Sequence, residues 1–326
     1  VKKSWIVSLA CAILFPAFIG YMGKSFEKDD RPKVVVILKS LNTDYWKSMK
    51  AGADKAFADF DVDGKVIAPA SEYRVTEQIA MLKNVLEQQP DALIVAPSQP
   101  SAAIPVLAEY HKKHIPVLLA DTDAEWKDQT TFIGTDNSTL GKKAGELLGS
   151  LLYPRDQIAI IEGTSVSTVT SERVTGAKEA LEAAGIEIVT EQPGYDEFGN
   201  VKSVMESILQ AHPDIKGVFA TDDTITLAAL KVIEKRGLKI PVVGTDGIRD
   251  MIKSIQARRI NASVAQNPYD MGYIGVEQAL RAINGETVVT RIDSGVDIIT
   301  TDNAKEKLEF LKTILKPRYG LLQIIQ

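Results

Sequence analysis

The sequence predicts an α/β protein built as two doubly wound parallel-sheet lobes. Three observations carry that expectation. Short, continuously apolar runs recur at residues 34–38, 66–68, 92–96, 116–120, 158–161, 186–190, 217–220, 242–244, 262–265 and 296–300. Between them lie segments with apolar residues at i, i+3, i+4 spacing, such as 76–88, 139–152, 172–184, 201–211 and 224–236, often closed by Gly or Pro. The stretch KVVVILKS, starting at Lys33, is echoed by QIAIIEGT, starting at Gln157. Strands that are apolar throughout and followed by helices belong to parallel sheets covered on both faces. About ten such strands are many for one sheet, so two lobes are the economical arrangement.

The chain has 326 residues, 45% hydrophobic and 25% charged, a size and balance that suit about two globular domains. A formal charge of −5 and no Lys/Arg block argue against a nucleic-acid surface, which needs clustered cations. The single cysteine, Cys11, cannot form an intramolecular disulfide. His111 and His114 share a helical face with nothing nearby to complete a zinc site, and His212 stands apart. No metal or other cofactor is expected.

The first segment belongs to neither lobe. Residues 1–23, VKKSWIVSLACAILFPAFIGYMG, place two lysines before an uncharged run from Trp5 to Met22, the pattern of a signal or membrane segment. Three fates are open. Signal-peptidase cleavage wants small residues near the end of the run, where Phe18, Ile19, Tyr21 and Met22 are bulky. Lipid attachment at Cys11 matches its pattern only in part, because the run continues beyond it. An uncleaved anchor needs about 17–25 apolar residues, which the run just supplies. Pro16 is tolerable in such a helix, and Lys2 and Lys3 would hold the N-terminus inside. The anchor is the favoured expectation, and each fate exports the body. Residues 24–32 form a charged linker.

In open parallel sheets ligands sit beyond the carboxyl ends of the strands. Here those ends are LKSLNTDYW, APSQP, ADTDAEW, EGTSVSTVTSER, ATDD, GTDG and AQNP. None contains a phosphate loop, a dinucleotide-binding GxGxxG turn or a GxSxG nucleophile elbow. Asp121, Asp222, Asp223 and Asp246 have no adjacent His, Cys or Lys to act as an acid–base or nucleophilic partner. The expectation is therefore binding rather than catalysis. Carboxylates accept hydroxyl hydrogens, amides and Arg donate, and aromatic faces cover C–H surface, a combination that suits a polyhydroxylated ring. Tyr45 and Trp46, adjacent just past the first strand, have two readings: a stacking surface for that ring, or core residues of the first helix. Their joint position at a strand end favours stacking.

LNTDYWKSMKAGADKA, PDALIVAPSQPSAAIPVLAEYHKKHIPVLLAD, FIGTDNSTLGKKAGELL, SERVTGAKEAL, AHPDIKGVFATDDTITLAALKVI, VVGTDGIRD and INASVAQNPYDMGYIGVEQAL carry a resemblance that extends over residues 33–300. Across them the chain resembles the type I periplasmic sugar-binding proteins, the ribose-binding group in particular. The lactose-repressor family shares that core but begins with a DNA-binding headpiece where this chain has its apolar segment. The resemblance implies two lobes joined by three hinge crossovers near 134–136, 266–268 and 292–296. Lobe 1 then comprises 33–134 plus 267–295, and lobe 2 comprises 135–266 plus 296–326. A ligand is held in the cleft, with closure about the hinge.

By the same resemblance, the family's stacking aromatics fall on Tyr45 and Trp46 and its first-lobe hydroxyl-binding carboxylate on Asp121. Its second-lobe arginine falls on Arg173, its strand-end Asn/Asp on Asp222, its later aspartate on Asp246 and its hinge glutamine on Gln266. Three positions depart from the ribose binders. Thr122 replaces the arginine that follows the carboxylate, Lys39 stands where they have a small polar residue, and Thr43 replaces an asparagine. Lys39 is placed to return the lost donor from another strand. The departures point away from ribose itself, toward another pentose, a hexose or a related polyol. The implied partner is an ABC-type permease or, alternatively, the ectodomain of a sensor histidine kinase.

Overall fold

A computed structural model describes residues 30–163, 168–194 and 198–316. They form two six-stranded sheets, each covered by helices on both faces, which is the two-lobed doubly wound fold the sequence predicts. In lobe 1 the strands are β1 (Lys33–Ile37), β2 (Asp63–Ile67), β3 (Ala92–Val95), β4 (Val117–Ala120), β5 (Thr131–Gly134) and β11 (Arg291–Asp293). Their order is β11-β5-β4-β3-β1-β2, all parallel. Helices α1 (Asp44–Asp59), α2 (Val75–Glu87), α3 (Pro100–Lys112) and α9 (Pro268–Ile283) cover this sheet.

Lobe 2 repeats the plan with β6 (Gln157–Glu162), β7 (Glu187–Pro193), β8 (Gly217–Ala220), β9 (Val242–Asp246), β10 (Ala262–Gln266) and β12 (Val296–Thr300). The order is β12-β10-β9-β8-β6-β7, and β12 runs antiparallel to β10. Its helices are α4 (Asn137–Gly149), α5 (Thr168–Ala183), α6 (Phe198–Ala211), α7 (Asp223–Lys235), α8 (Arg249–Gln256) and α10 (Ala304–Ile314). The chain changes sheet between β5 and α4, between β10 and α9, and between β11 and β12.

The apolar runs become strands because both of their faces find a core. On β1, Val34 and Val36 enter one hydrophobic cluster while Val35 and Ile37 enter another on the opposite face. On β6, Ala159 and Ile161 point one way, Ile158 and Ile160 the other. Two strands, β5 and β11, are absent from the apolar runs in the sequence. "TFIG" is short and flanked by polar residues, and "RID" is charged at both ends with exposed outer positions. Neither carries the pattern that marks a buried strand.

Two helix pairs approach unusually closely. A Cβ added to Gly52 of α1 would lie 1.9 Å from the Tyr269 carbonyl oxygen of α9, and one on Gly272 of α9 would lie 2.0 Å from that of Met49. In lobe 2, a Cβ on Gly141 of α4 would lie 2.0 Å from the Arg173 carbonyl oxygen of α5, and one on Gly176 of α5 2.1 Å from that of Ser138. Glycine is what lets these backbones touch. Helix α10 packs on α8, burying Ala304 and Leu308, and also reaches α1.

Among the described residues no helix is long and apolar enough to cross a membrane. The apolar N-terminal run lies outside the described residues, as do the last ten residues of the tail, 317–326.

Candidate functional site

In lobe 1 three strand-end segments converge. The β1 strand ends just before Lys39, β4 ends just before Asp121 and Thr122, and Tyr45 sits in the first turn of α1. Asp121 has φ 63°, a left-handed backbone that a non-glycine residue adopts only where its surroundings impose it. That turn carries the carboxylate to three donors. Tyr45 Oη donates to Asp121 Oδ1 at 2.6 Å, Thr122 Oγ1 donates to Oδ2 at 2.8 Å, and Lys39 Nζ lies 3.0 Å from Oδ2. Lys39 also donates to Thr122 Oγ1 at 2.6 Å. The lysine just past β1 thus reaches Asp121 and Thr122 from another strand end.

In lobe 2 the matching carboxylate is Asp246, again in a positive-φ backbone, at 111°. Its Oδ1 accepts from Arg173 Nη1 at 2.9 Å and from Gln266 Nε2 at 2.7 Å. Arg173 is only 5% exposed, and its other contacts fix it rigidly. Nε donates to Asn137 Oδ1 at 2.9 Å, and Nη1 to the Thr221 carbonyl at 2.7 Å and to Thr245 Oγ1 at 2.8 Å. The first contact depends on the close α4–α5 crossing, because Asn137 opens α4.

Gln266, at the second crossover, joins the two halves. Its Oε1 accepts from Thr135 Oγ1 at 2.9 Å, at the first crossover, and lies 3.3 Å from Tyr45 Oη. A row of polar side chains in contact therefore runs Lys39–Thr122–Asp121–Tyr45–Gln266–Asp246–Arg173 across both lobes, with the single phenol proton of Tyr45 given to Asp121.

Three of the expected site residues have structural roles of their own. Trp46 is 5% exposed and packs in the lobe 1 core with Met49 and Ala53. Its ring meets Tyr45 edge to face, with centroids 5.0 Å apart, and Lys39 Nζ stands 5.4 Å from its centroid. The lysine thus stands over the ring where stacking would require a sugar, and the apolar bulk of the indole is spent on the core. Thr43 is exposed and serves as the N-cap of α1, accepting from Trp46 N at 3.5 Å. Asp222 caps α7, one oxygen accepting from Ile225 N at 2.8 Å, so that oxygen is engaged before any ligand arrives.

Several supporting residues escape sequence reasoning. Thr135 and Asn137 at the first crossover, Thr221 just past β8 and Thr245 in β9 come from three separate stretches of chain that meet only in the fold. Asp223 is fully buried and holds the loop that follows Asp246. Its Oδ2 accepts from Gly247 N at 2.7 Å and Ile248 N at 2.9 Å, and its Oδ1 from Ser263 Oγ at 2.9 Å. The signal available was the second acid in "TDD", one place past the cap.

The two cleft carboxylates differ electrically. Burial pushes Asp121 upward, but the Lys39 charge and the bonds from Tyr45, Thr122 and Lys39 outweigh it and hold the carboxyl below its ordinary value. Burial pushes Asp246 upward too, and Arg173 and Gln266 only partly offset it, so its carboxyl titrates above the ordinary value. Burial and the neighbouring Asp246 push Asp223 well above. Burial and the Asp121 charge keep the Tyr45 phenol well above its usual value and therefore a donor. Among the described residues no group of three or more His, Cys, Asp or Glu could hold a metal ion. What the row offers is an alternation of donors and acceptors with balanced charge, suited to gripping hydroxyl groups.

A model of the periplasmic binding protein domain matches residues 34–287. The D-ribose/D-allose-binding protein of Pseudomonas aeruginosa is 28% identical over 294 residues, covering 86% of this chain and 90% of its own. The ribose import binding protein of Bacillus subtilis is 30% identical over 265 residues, covering 81% and 85%. An ABC transporter periplasmic solute-binding protein from Actinobacillus succinogenes, solved with bound D-allose, matches with TM-score 0.78 at 26% identity, covering 85% of this chain and 100% of that one.

Proposed function

The chain belongs to the periplasmic binding protein family, and from that premise we propose that it is an extracytoplasmic receptor that holds a monosaccharide between its lobes and presents it to an ABC-type importer. The observation that carries this reading is the row of polar side chains spanning the hinge. Lys39 and Arg173 balance Asp121 and Asp246, which favours a neutral polyol over a sugar acid or sugar phosphate. Relatives named for ribose and allose make pentoses and hexoses the first candidates. Lys39 and Thr122 supply the first-lobe donors that choose among them.

The residues act by binding alone. A sugar entering the cleft replaces internal hydrogen bonds of the row with its own hydroxyls, and contacts to both lobes favour the closed arrangement that a partner recognises. The apolar run at residues 5–22 is read as the element that carries the lobes outward and holds them at the membrane. Thermal shift and calorimetry with D-ribose, D-allose, D-arabinose, D-galactose and D-glucose test the proposal. One or two of these sugars are expected to raise the melting temperature and to be recovered unchanged. A panel without any shift, or with turnover of the sugar, would count against it.

A further inference from the structure

Beside the polar row, between the lobes, lies a cavity of about 220 Å³. Tyr45, Gln266 and Asp246 form its wall on the side of the row, while Lys39, Asp121, Thr122 and Arg173 are not among the described residues that line it. These three residues are thus a partition, with the hydroxyl-gripping groups on one side and the cavity on the other. The partition is weakest at Tyr45 Oη and Gln266 Oε1, whose 3.3 Å separation is the longest oxygen–nitrogen or oxygen–oxygen contact in the row.

The far side of the cavity is chemically different from the cleft. Ile248, Ile252 and Leu311 give it an aliphatic lining. Tyr269 of lobe 1 and Phe310 of lobe 2 meet there edge to face, ring centroids 5.6 Å apart, so an aromatic corner is assembled from both lobes. At the same wall Arg249 Nε is ion-paired with Asp44 Oδ2 at 2.8 Å, joining the lobes beside the cavity. Of the acids that line it, Asp44 and Asp297 are ion-paired with Arg249 and Lys307, while Asp270 and Glu306 add negative charge that disfavours an anionic occupant.

We propose that this cavity is a subsite for the aglycone of a glycoside: the sugar ring engages the polar row, and an uncharged, mostly apolar substituent passes between Tyr45 and Gln266 into the aromatic corner. The proposal rests on the sugar-binding reading. It extends the ligand class from free monosaccharides to their alkyl and aryl glycosides, because a mostly apolar pocket beside the polar row matches an apolar substituent carried on the sugar.

Calorimetry on the full chain tests it. Each free sugar that binds is compared with its methyl and phenyl glycosides of both anomers. At least one phenyl glycoside is expected to bind tenfold or more tightly than its parent sugar. In Leu311→Trp, which fills the cavity from the flank of α10, that gain disappears while the free sugar binds within about threefold of the unaltered protein. Phe310→Ala, at a half-exposed position that tolerates truncation, is expected to reduce the gain without changing the free sugar. A free sugar that binds better than all its glycosides overturns the subsite and leaves the receptor intact. A gain that survives Leu311→Trp places the aglycone elsewhere and also overturns it. If no free sugar binds, the receptor reading itself falls, and the subsite with it.

Discussion

Arg249, the first residue of α8, faces Asp44, the first residue of α1, across the cleft at 2.8 Å. Asp44 suits its helix end, because an acid in the first turn complements the macrodipole. Arg249 does not suit its own, since a cation at an N-terminus opposes that dipole. Its position makes sense as a clasp between lobes. Both side chains are about one-third exposed, which keeps the pair in the range of about 0.2–1 kcal/mol. Asp44→Asn is therefore expected to weaken sugar binding two- to fivefold and to enlarge the ligand-free radius of gyration in X-ray scattering. At high salt the variant and the unaltered protein should converge.

Arg173 is the cation that the second lobe can least spare. Arg173→Ala leaves Asp246 buried with Gln266 as its only remaining donor in the row, at a cost of about 3–5 kcal/mol in urea denaturation. Arg173→Lys keeps the charge but loses the fork that joins Asn137 to Asp246. Affinity should then fall tenfold or more, about 1.4 kcal/mol. Calorimetry with full affinity in the lysine variant would place the ligand elsewhere.

Trp46 and Tyr45 should separate cleanly. Trp46→Ala opens a core cavity and is expected to cost about 3–5 kcal/mol of stability with no sugar present. Tyr45→Phe removes one hydroxyl and should cost about 0.5–1.5 kcal/mol in the ligand-free protein. Its larger effect should appear in the sugar titration, where Asp121 Oδ1 loses its phenolic partner.

Acid should weaken binding through Asp246 before Asp121. Folding raises Asp246 above its unfolded value, so its burial costs stability above the unfolded range, and acidification through the raised value relieves that cost. Asp121 behaves oppositely: its lowered value means a stabilising contribution present above the unfolded value and lost as pH falls through the folded one. On acidification, sugar affinity is expected to begin declining as Asp246 takes up a proton at its raised value and Arg173 loses its counter-ion, before Asp121 responds. Asp246→Asn should bind more weakly throughout and show less of that acid dependence.

Much of this architecture is legible in the sequence because parallel strands buried on both faces leave apolar runs that no other element imitates. Val34–Val36 and Ile158–Ile161 needed no further context. The short strands β5 and β11 were invisible, since each is recognised only by the neighbour it pairs with. In the site, Lys39, Asp121, Thr122, Arg173, Asp246 and Gln266 follow from the resemblance to the sugar-binding family rather than from local pattern, and the structure brings all six into one row. Trp46 was misjudged because a strand-end aromatic can face ligand or core, and sequence gives position without direction. The Asp44–Arg249 clasp joins residues far apart in the chain, where no local pattern records the meeting.

The glycine contacts bear on how occupancy is reported. The helix that begins at each of the first two crossings, α4 or α9, lies backbone to backbone against a helix bearing a side chain of the polar row, α5 with Arg173 or α1 with Tyr45. With no side chains between them, there is little compressible material to take up a shift. Such a joint has almost no backlash. A turn at the hinge is delivered undiminished to Arg173 and Tyr45, and a pull on either is returned to the hinge. What an outside partner can read is then an angle between two stiff bodies, the same angle for any ligand that closes them.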